Sequence, residues 1–226
     1  MTNPADRIVD LYQRHARQWD EARGRNLFER AWLDRFTAVL PAGGSVLDIG
    51  CGSGEPIARH LIASQFAVTG IDAAPAMIDL CRSRFPSASW LVADMRELAL
   101  GRRFDGLIAW DSFFHLRPED QRVMFRVFAA HAEANAALMF TSGPAFGEAI
   151  GSFEGSRSIT AVSIRPSIAR CSRGKDSRWS PTSPTTPLAA TPSGWLGGAG
   201  NGSGAPTQGA HSRNAPTSTG NARLAA

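Results

Sequence analysis

Cysteine is scarce in this chain, and long apolar runs are absent. The three cysteines, Cys51, Cys81 and Cys171, share no metal-ligand spacing and leave one thiol over in any pairing, so neither a disulfide framework nor a metal site is expected. No apolar run reaches the roughly 18 residues of a membrane-spanning helix. The first ten residues are polar and include acids, which argues against a signal or transit peptide. We therefore expect a cytoplasmic protein with no membrane partner.

Acidic residues are nearly missing from the last third of the chain. Residues 1–155 contain 19 of the 20 acids and 16 of the 24 basic residues, whereas residues 156–226 contain one acid, Asp176, and eight basic residues. This second segment is rich in Ser, Thr, Pro and Gly, a composition typical of disorder. It has a single lysine, Lys175, and no interleaved aromatic residues, so we expect no nucleic-acid partner. We predict a folded domain over 1–155 and an irregular tail over 156–226.

Strand-like and helix-like segments alternate through the first 155 residues. Helical spacing of apolar residues predicts helices over 6–21, 27–40, 54–64 and 75–84, and another that begins at Pro118. Short apolar runs predict five strands, over 45–50, 66–72, 89–94, 104–110 and 134–142. The alternation predicts an α/β fold with a parallel sheet covered by helices on both faces. Ligands of such sheets bind beyond the carboxyl ends of the strands.

The first predicted strand ends in a glycine-rich segment, Asp48-Ile49-Gly50-Cys51-Gly52-Ser53-Gly54. Glycine at every second position lets the backbone turn tightly and approach a ligand where a Cβ would clash. The spacing differs from the G-x-G-x-x-G of dinucleotide sites, in which a helix N-terminus holds a pyrophosphate. The alternative interpretation is an ordinary strand-to-helix turn, with Cys51 present because it is small and packed.

Acidic residues also follow the next three strands. Asp72 lies 18 residues after Gly54, where a carboxylate can accept hydrogen bonds from both ribose hydroxyls of a nucleoside. After the third strand, Asp94 is placed to accept from an adenine amino group, and Met95 to cover the ring. Asp111 follows the fourth strand. Asp72 and Asp94 have a second interpretation, as caps of the helical turns that follow them.

The segments VLDIGCGSGEP, VTGID, LVADM and FDGLIAWDSFFHL resemble the successive motifs of class I S-adenosylmethionine-dependent methyltransferases. The resemblance covers about residues 5–155 and implies a Rossmann-like sheet, S-adenosyl-L-methionine as cofactor and a small-molecule methyl acceptor. It implies that ribose lies at Asp72, adenine at Asp94 and Met95, and the methionine part near Asp48 and Asp111. The full set of cofactor-binding residues that it implies is Asp48, Gly50, Cys51, Gly52, Asp72, Ala73, Asp94, Met95 and Asp111.

The acceptor side is less defined by the sequence. His115 has a side chain that titrates near neutral pH, so we consider it as a catalytic base, with a structural role as the alternative. Tyr12 and Trp19 lie on the apolar stripe of the first helix, which resembles the helix that closes over cofactor and substrate in this family. We consider both, together with Trp110, as substrate-binding residues, with core packing as the alternative. The rival function is a nucleotide- or cofactor-binding protein of the same fold without methyl transfer.

The family pattern stops at about residue 155, where a helix and two further strands should follow. If the codons for residues 155–198 are read one nucleotide out of frame, apolar residues replace Cys171, Ser172, Trp179 and Ser180, and a helix, a glycine stop and two strands appear. We therefore predict that the C-terminus is frameshifted and that the C-terminal strands of the family are missing. The alternative is a natural disordered extension.

Overall fold

A sheet of parallel strands forms the centre of the structure. The computed structural model of the chain describes residues 7–141, 147–153, 156–162, 167–172 and 178–181. The parallel strands are β1 (Ser45–Ile49), β2 (Ala67–Asp72), β3 (Ser89–Val92), β4 (Phe104–Ala109) and β5 (Ala132–Phe140). They lie in the order β3-β2-β1-β4-β5, so the chain reverses direction across the sheet between β1 and β4. The five predicted strands are confirmed.

Helices connect these strands where the spacing of apolar residues predicts them. They are α1 (Ile8–Arg23), α2 (Arg30–Thr37), α3 (Ile57–Ala63), α4 (Pro75–Arg84) and α5 (Pro118–His131). Both α4 and α5 begin at a proline, whose fixed φ suits the first turn of a helix. Two short 3₁₀ helices, Met95–Glu97 and Phe113–His115, follow β3 and β4.

Each face of the sheet carries its own hydrophobic core. Alternate residues of β1 point in opposite directions, so Val46 packs with Phe36 and Leu61, whereas Leu47 packs with Phe128. All five of these side chains are fully buried. The expectation of a parallel sheet covered on both faces is therefore confirmed, and the fold leaves the carboxyl ends of the strands open for a site.

The C-terminal segment differs from the irregular tail predicted from residue 156. The structure adds β6 (Gly147–Phe153), β7 (Ser156–Val162), β8 (Ser167–Ser172) and β9 (Arg178–Pro181). Strand β8 pairs antiparallel with β5 and β9 pairs with β8, so β5 is not the edge strand expected if the C-terminal strands were missing. Ala169 and Cys171 are buried at the spacing of two that a strand requires. Backbone groups left unpaired along β5 would be costly, and β8 satisfies them.

The remainder of the predicted tail, residues 182–226, lies outside the described residues. Within the part of the chain that is described, no helix is long and apolar enough to cross a membrane.

Candidate active site

One cleft opens at the carboxyl ends of β1 to β4. The volume of the cleft, counted together with the space that is open to solvent, is about 1160 Å³. Every residue that the sequence analysis assigned to a cofactor, acceptor or catalytic role lines it: Tyr12, Trp19, Asp48, Gly50, Cys51, Gly52, Asp72, Ala73, Asp94, Met95, Trp110, Asp111 and His115. The structure thus brings together residues that lie up to 103 positions apart, as Tyr12 and His115 do.

The glycine loop after β1 needs glycine for reasons of packing and backbone conformation. Gly50 and Gly52 have φ values of +73° and +54°, which residues with a side chain rarely adopt. A Cβ on Gly50 would lie 2.3 Å from Cβ of Ser112, and one on Gly52 would lie 3.4 Å from the Trp19 ring. The missing side chain of Gly50 therefore lets the loop after β4 approach the glycine loop, whereas Gly52 is favoured by its positive φ, because a Cβ there would make only an ordinary contact with Trp19.

Asp72 holds the glycine loop and the start of α4 together. Its Oδ2 accepts a hydrogen bond from the backbone N–H of Gly52 at 3.0 Å, and its Oδ1 accepts from the N–H of Ala74 at 2.8 Å. Asp72 is not the N-cap of α4, because the N-cap residue is Ala74 and makes no side-chain capping hydrogen bond; Asp72 instead accepts from the N–H of Ala74 itself. Each carboxylate oxygen has a second lone pair, so the side chain that lines the cleft keeps capacity for further donors. Burial raises the pKa of Asp72, although the two backbone hydrogen bonds oppose the shift.

Two further carboxyl groups of the cleft, the buried Asp48 and the exposed Asp111, have pKa values close to neutrality. Burial, with a smaller contribution from the charge of Asp72, raises the pKa of Asp48 to about 7. Desolvation within the cleft raises the pKa of Asp111 to about 6, and the charge of Glu29 adds to this shift while Arg23 opposes it. Asp111 is further fixed by a positive φ of 50° and by the hydrogen bond from its N–H to Oγ1 of Thr141, at 2.7 Å. The cleft therefore gains negative charge as the pH rises through 6 to 7.

Asp94 caps the 3₁₀ helix that follows β3. Its Oδ1 accepts from the backbone N–H of Arg96 at 2.9 Å, so the capping interpretation is correct as far as it goes. The Arg96 guanidinium also donates hydrogen bonds to the Asp94 carboxylate, and these bonds lower the pKa of Asp94. Because Asp94 also lines the cleft, capping and ligand contact do not exclude one another.

An aromatic group lies on the opposite wall of the cleft. The Tyr12 hydroxyl is 3.0 Å from Nε2 of His115, and the Tyr12 ring meets the Trp19 ring edge to face. Burial, together with the charges of Asp72 and Asp111, raises the pKa of Tyr12, so its phenol stays protonated and shares a hydrogen bond with Nε2 of His115. The helix α1 has non-helical angles at His15, between Tyr12 and Trp19, which sets the direction of its first half.

Helix α1 is attached to the glycine loop by a buried aspartate that the sequence analysis did not single out. Asp20 accepts two hydrogen bonds from Arg84, at 2.6 and 2.7 Å, one from Ser53 at 2.5 Å and one from Arg25 at 3.0 Å. Burial alone would raise the pKa of Asp20, but these hydrogen bonds outweigh it and hold the pKa well below its usual range. The contact with Arg84 spans 64 positions, which no local pattern reveals.

Arg23 is another residue near the site that the sequence analysis did not indicate. It lines the cleft and forms an ion pair with Glu29, and both side chains are nearly buried. The other carboxylate oxygen of Glu29, Oε2, is buried without a hydrogen bond among the described residues. Spacing offers a signal for Arg23, since it lies seven and eleven positions from Ala16 and Tyr12 and thus on the same helical face.

Comparison with known proteins identifies the sheet and its strand-end loops. The family described as "Methyltransferase domain" matches residues 46–135, from β1 into β5. Residues 46–135 belong to the class I S-adenosylmethionine-dependent methyltransferases. The match contains the glycine loop and the acids that follow β2, β3 and β4, whereas α1 and its aromatic group lie outside it.

Individual relatives share the methyltransferase domain rather than the whole chain. A dTDP-3-amino-3,6-dideoxy-α-D-glucopyranose N,N-dimethyltransferase of Streptomyces fradiae is 36% identical over 93 residues, which is 40% of this chain and 36% of the relative. The 27-O-demethylrifamycin SV methyltransferase of Amycolatopsis mediterranei is 31% identical over 140 residues, or 51% of this chain and 52% of the relative. The chain thus spans about half or less of the length of these curated relatives.

Solved structures support the same fold. A 1,6-didemethyltoxoflavin-N1-methyltransferase of Burkholderia thailandensis aligns with a TM-score of 0.57 and 15% identity, over 72% of this chain and 75% of that one. An N-methyltransferase of Bradyrhizobium japonicum aligns with a TM-score of 0.51 and 16% identity, over 70% and 97% of the two chains. At these identities the likeness concerns the fold of the domain alone.

Proposed function

We propose that the chain binds S-adenosylmethionine in this cleft and transfers its methyl group to a small-molecule acceptor. The observation that carries the proposal is the convergence of the glycine loop with four strand-end acids in one cleft of a methyltransferase domain. Asp72 would accept from the ribose hydroxyls, and Asp94 with Met95 would face adenine. Asp48, the glycine loop with Cys51, Ala73 and Asp111 would surround the rest of the cofactor.

The charge of the cleft fits a cation. Asp48 is buried beside the glycine loop, whereas Asp111 is exposed and lines the cleft, and both are ionised only in part near neutral pH. A sulfonium or ammonium group placed next to them would favour their ionised forms, because opposite charges in a desolvated site interact strongly. A dinucleotide would instead bring pyrophosphate charge to a loop flanked by these acids. The donor set therefore favours S-adenosylmethionine over a phosphate-bearing nucleotide.

The chain's own contribution to the reaction is alignment and exclusion of water. S-adenosylmethionine, when bound, would supply a methyl group activated by its sulfonium, and the acceptor's lone pair would attack the methyl carbon in line while the carbon–sulfur bond breaks and its electrons stay on sulfur. Trp19 covers the glycine loop, and Tyr12 and His115 form the wall beside Asp111. The acceptor would therefore lie against α1 and the Phe113–His115 turn, with Trp110 at its side.

A proton must leave if the accepting atom carries one. The Tyr12 hydroxyl and Nε2 of His115 share a hydrogen bond, and in the tautomer that the following step requires, Nε2 accepts from Tyr12. We propose that the acceptor's proton passes to the Tyr12 oxygen while the Tyr12 proton passes to His115, which ends as imidazolium. His115 then acts as the base through Tyr12, and this arrangement serves an O–H acceptor or an N–H acceptor that must be deprotonated.

Binding and turnover test the proposal separately. Calorimetry should show binding of S-adenosylmethionine and its demethylated product, S-adenosylhomocysteine, and Asp72→Ala should weaken it by about 1–3 kcal/mol because the ribose loses a charged acceptor. Tight binding of NAD without S-adenosylmethionine binding would refute the cofactor assignment.

Methyl transfer is then screened over small acids, amines, phenols and amino-sugar nucleotides by following S-adenosylhomocysteine formation. The panel includes both hydroxyl and amino acceptors. The name of the Amycolatopsis relative, 27-O-demethylrifamycin SV methyltransferase, refers to an oxygen acceptor, and that of the Streptomyces relative, an N,N-dimethyltransferase, refers to a nitrogen acceptor. Cofactor binding without turnover on any acceptor would favour the rival function, a binding protein of the same fold.

A further inference from the structure

Arg96 makes an unusually complete contact with the Asp94 carboxylate. Its Nε lies 3.0 Å from Oδ1 and 3.1 Å from Oδ2, and its Nη2 lies 2.5 Å from Oδ2. The backbone N–H of Arg96 also donates to Oδ1, at 2.9 Å. A planar guanidinium that contacts both oxygens fixes the orientation of a carboxylate as well as its charge.

A second contact ties this pair to the body of the domain. Nη1 of Arg96 lies 3.6 Å from Oδ2 of Asp120, in the first turn of α5. Arg96, Asp94 and Asp120 all line the cleft. The position of the Asp94 carboxylate is therefore determined from two sides, by the 3₁₀ helix on which Arg96 lies and by α5.

Counting lone pairs shows what Asp94 can still bind. A carboxylate offers about four acceptor positions. Oδ1 already accepts from two donors of Arg96, and Oδ2 is occupied mainly by Nη2. About one position remains, on Oδ2, and because an ionised carboxylate has no proton to donate, only a donor can fill it.

This arrangement distinguishes purines by the group at position 6. An amino group there donates a hydrogen bond to a carboxylate, whereas an oxo group presents a lone pair and is repelled. The contact with Arg96 lowers the pKa of Asp94, so the carboxyl group does not gain the proton that would let it donate to an oxo group.

We propose that Arg96 is a positioning residue that fixes Asp94 as a one-donor acceptor and thereby sets the preference of the cleft for adenosyl over inosyl cofactors. This inference rests on the proposed function, since it requires the purine to lie at Asp94. It assigns to Arg96 a role in specificity that is distinct from the local capping of the 3₁₀ helix.

The test compares two ligands that differ at one position, S-adenosylhomocysteine and S-inosylhomocysteine, by calorimetry on the full chain. The wild-type protein should prefer the adenosyl compound by about ten- to hundredfold, the range of one hydrogen bond to a charged group. Arg96→Gln should reduce this ratio by about three- to tenfold, and Arg96→Lys by less, because a point charge remains. Asp94→Asn should bring the ratio near one, since an amide can donate to an oxo group or accept from an amino group.

Arg30→Gln is the matched control, because Arg30 is an exposed arginine paired with Asp34 on α2, outside the cleft. It should leave both affinities unchanged. If Arg96→Gln weakens both ligands equally and keeps their ratio, Arg96 is only structural and the inference is wrong. A wild-type protein that binds both ligands equally would also overturn the inference. If the Arg96 variants fail to fold, Asp94→Asn decides, and an unchanged ratio of the two affinities in that variant would overturn the inference. Binding of neither ligand to the wild type would instead refute the proposed function.

Discussion

Binding of S-adenosylmethionine should release protons near pH 6.5. The groups responsible are Asp48, whose pKa burial and Asp72 raise to about 7, and Asp111, whose pKa desolvation and Glu29 raise to about 6. At pH 6.5 these values leave about three quarters of Asp48 and about one quarter of Asp111 protonated, or about one proton in total. A cationic ligand favours both ionised forms, so the proton should leave when the ligand binds.

The sign and size of the pH dependence follow from this release. When binding releases about one proton, the association constant rises about tenfold per pH unit. The rise should become steeper below pH 6.5, where a larger fraction of both carboxyl groups is protonated in the free protein, and should level off above about pH 8, where both are ionised. S-adenosylhomocysteine, which has a neutral sulfur, should release fewer protons than S-adenosylmethionine.

Calorimetry in two buffers of different ionisation enthalpy measures the number of protons directly. In Asp48→Asn the release at pH 6.5 should fall from about one proton to about a quarter, the share that belongs to Asp111. Asp34→Asn, an exposed carboxylate on α2, is the control and should release as much as the wild type. No release from the wild type, or equal release from Asp48→Asn, would show that these two acids do not face the cofactor's charge.

Three further predictions concern stability and the C-terminus. Asp20→Asn should lower the free energy of unfolding in urea by about 2–4 kcal/mol, because Ser53 and the arginines lose a buried charged acceptor, whereas Asp34→Asn should cost at most about 0.5 kcal/mol. Gly70→Ala should cost about 1–3 kcal/mol by overpacking, because its Cβ would lie 2.2 Å from the Trp90 ring, and an unchanged urea midpoint would contradict the described packing. The nucleotide sequence over codons 155–198 should encode a helix and two strands in the offset frame and then reach a stop codon; an offset frame full of stops would show that the tail is a natural extension.

The parallel sheet and the convergence of the strand-end acids in one cleft could be predicted from the sequence because their signals are local. Buried strands read as apolar runs, and the acids at their ends follow within one or two residues, as Asp72 and Asp94 do. Parallel strands then bring these ends to one edge without any knowledge of side-chain contacts. The glycine loop adds a pattern of three residues that few other structures require.

The contacts that organise the cleft could not be predicted in this way. Asp20 and Arg84 belong to helices far apart in the chain, and nothing in their neighbours distinguishes them from solvated surface charges. Asp94 illustrates a different limit, since capping and cofactor contact were treated as alternatives although one carboxylate has capacity for both. Strand β8 was missed because the composition after residue 155 is polar, and its pairing with β5 depends on a register that only the folded sheet provides.

Helix α1 joins the cofactor half of the cleft to the acceptor half. Trp19 covers Gly52, Asp20 binds Arg84 at the C-terminal end of α4, and Tyr12 reaches His115 on the other side. All of these α1 residues precede Val46, where the match to the methyltransferase domain begins. The matched domain therefore contains the proposed cofactor residues and the Phe113–His115 turn, but not α1. If the acceptor lies between α1 and this turn, exchanging the α1 residues that contact the turn should change acceptor choice while cofactor affinity is retained.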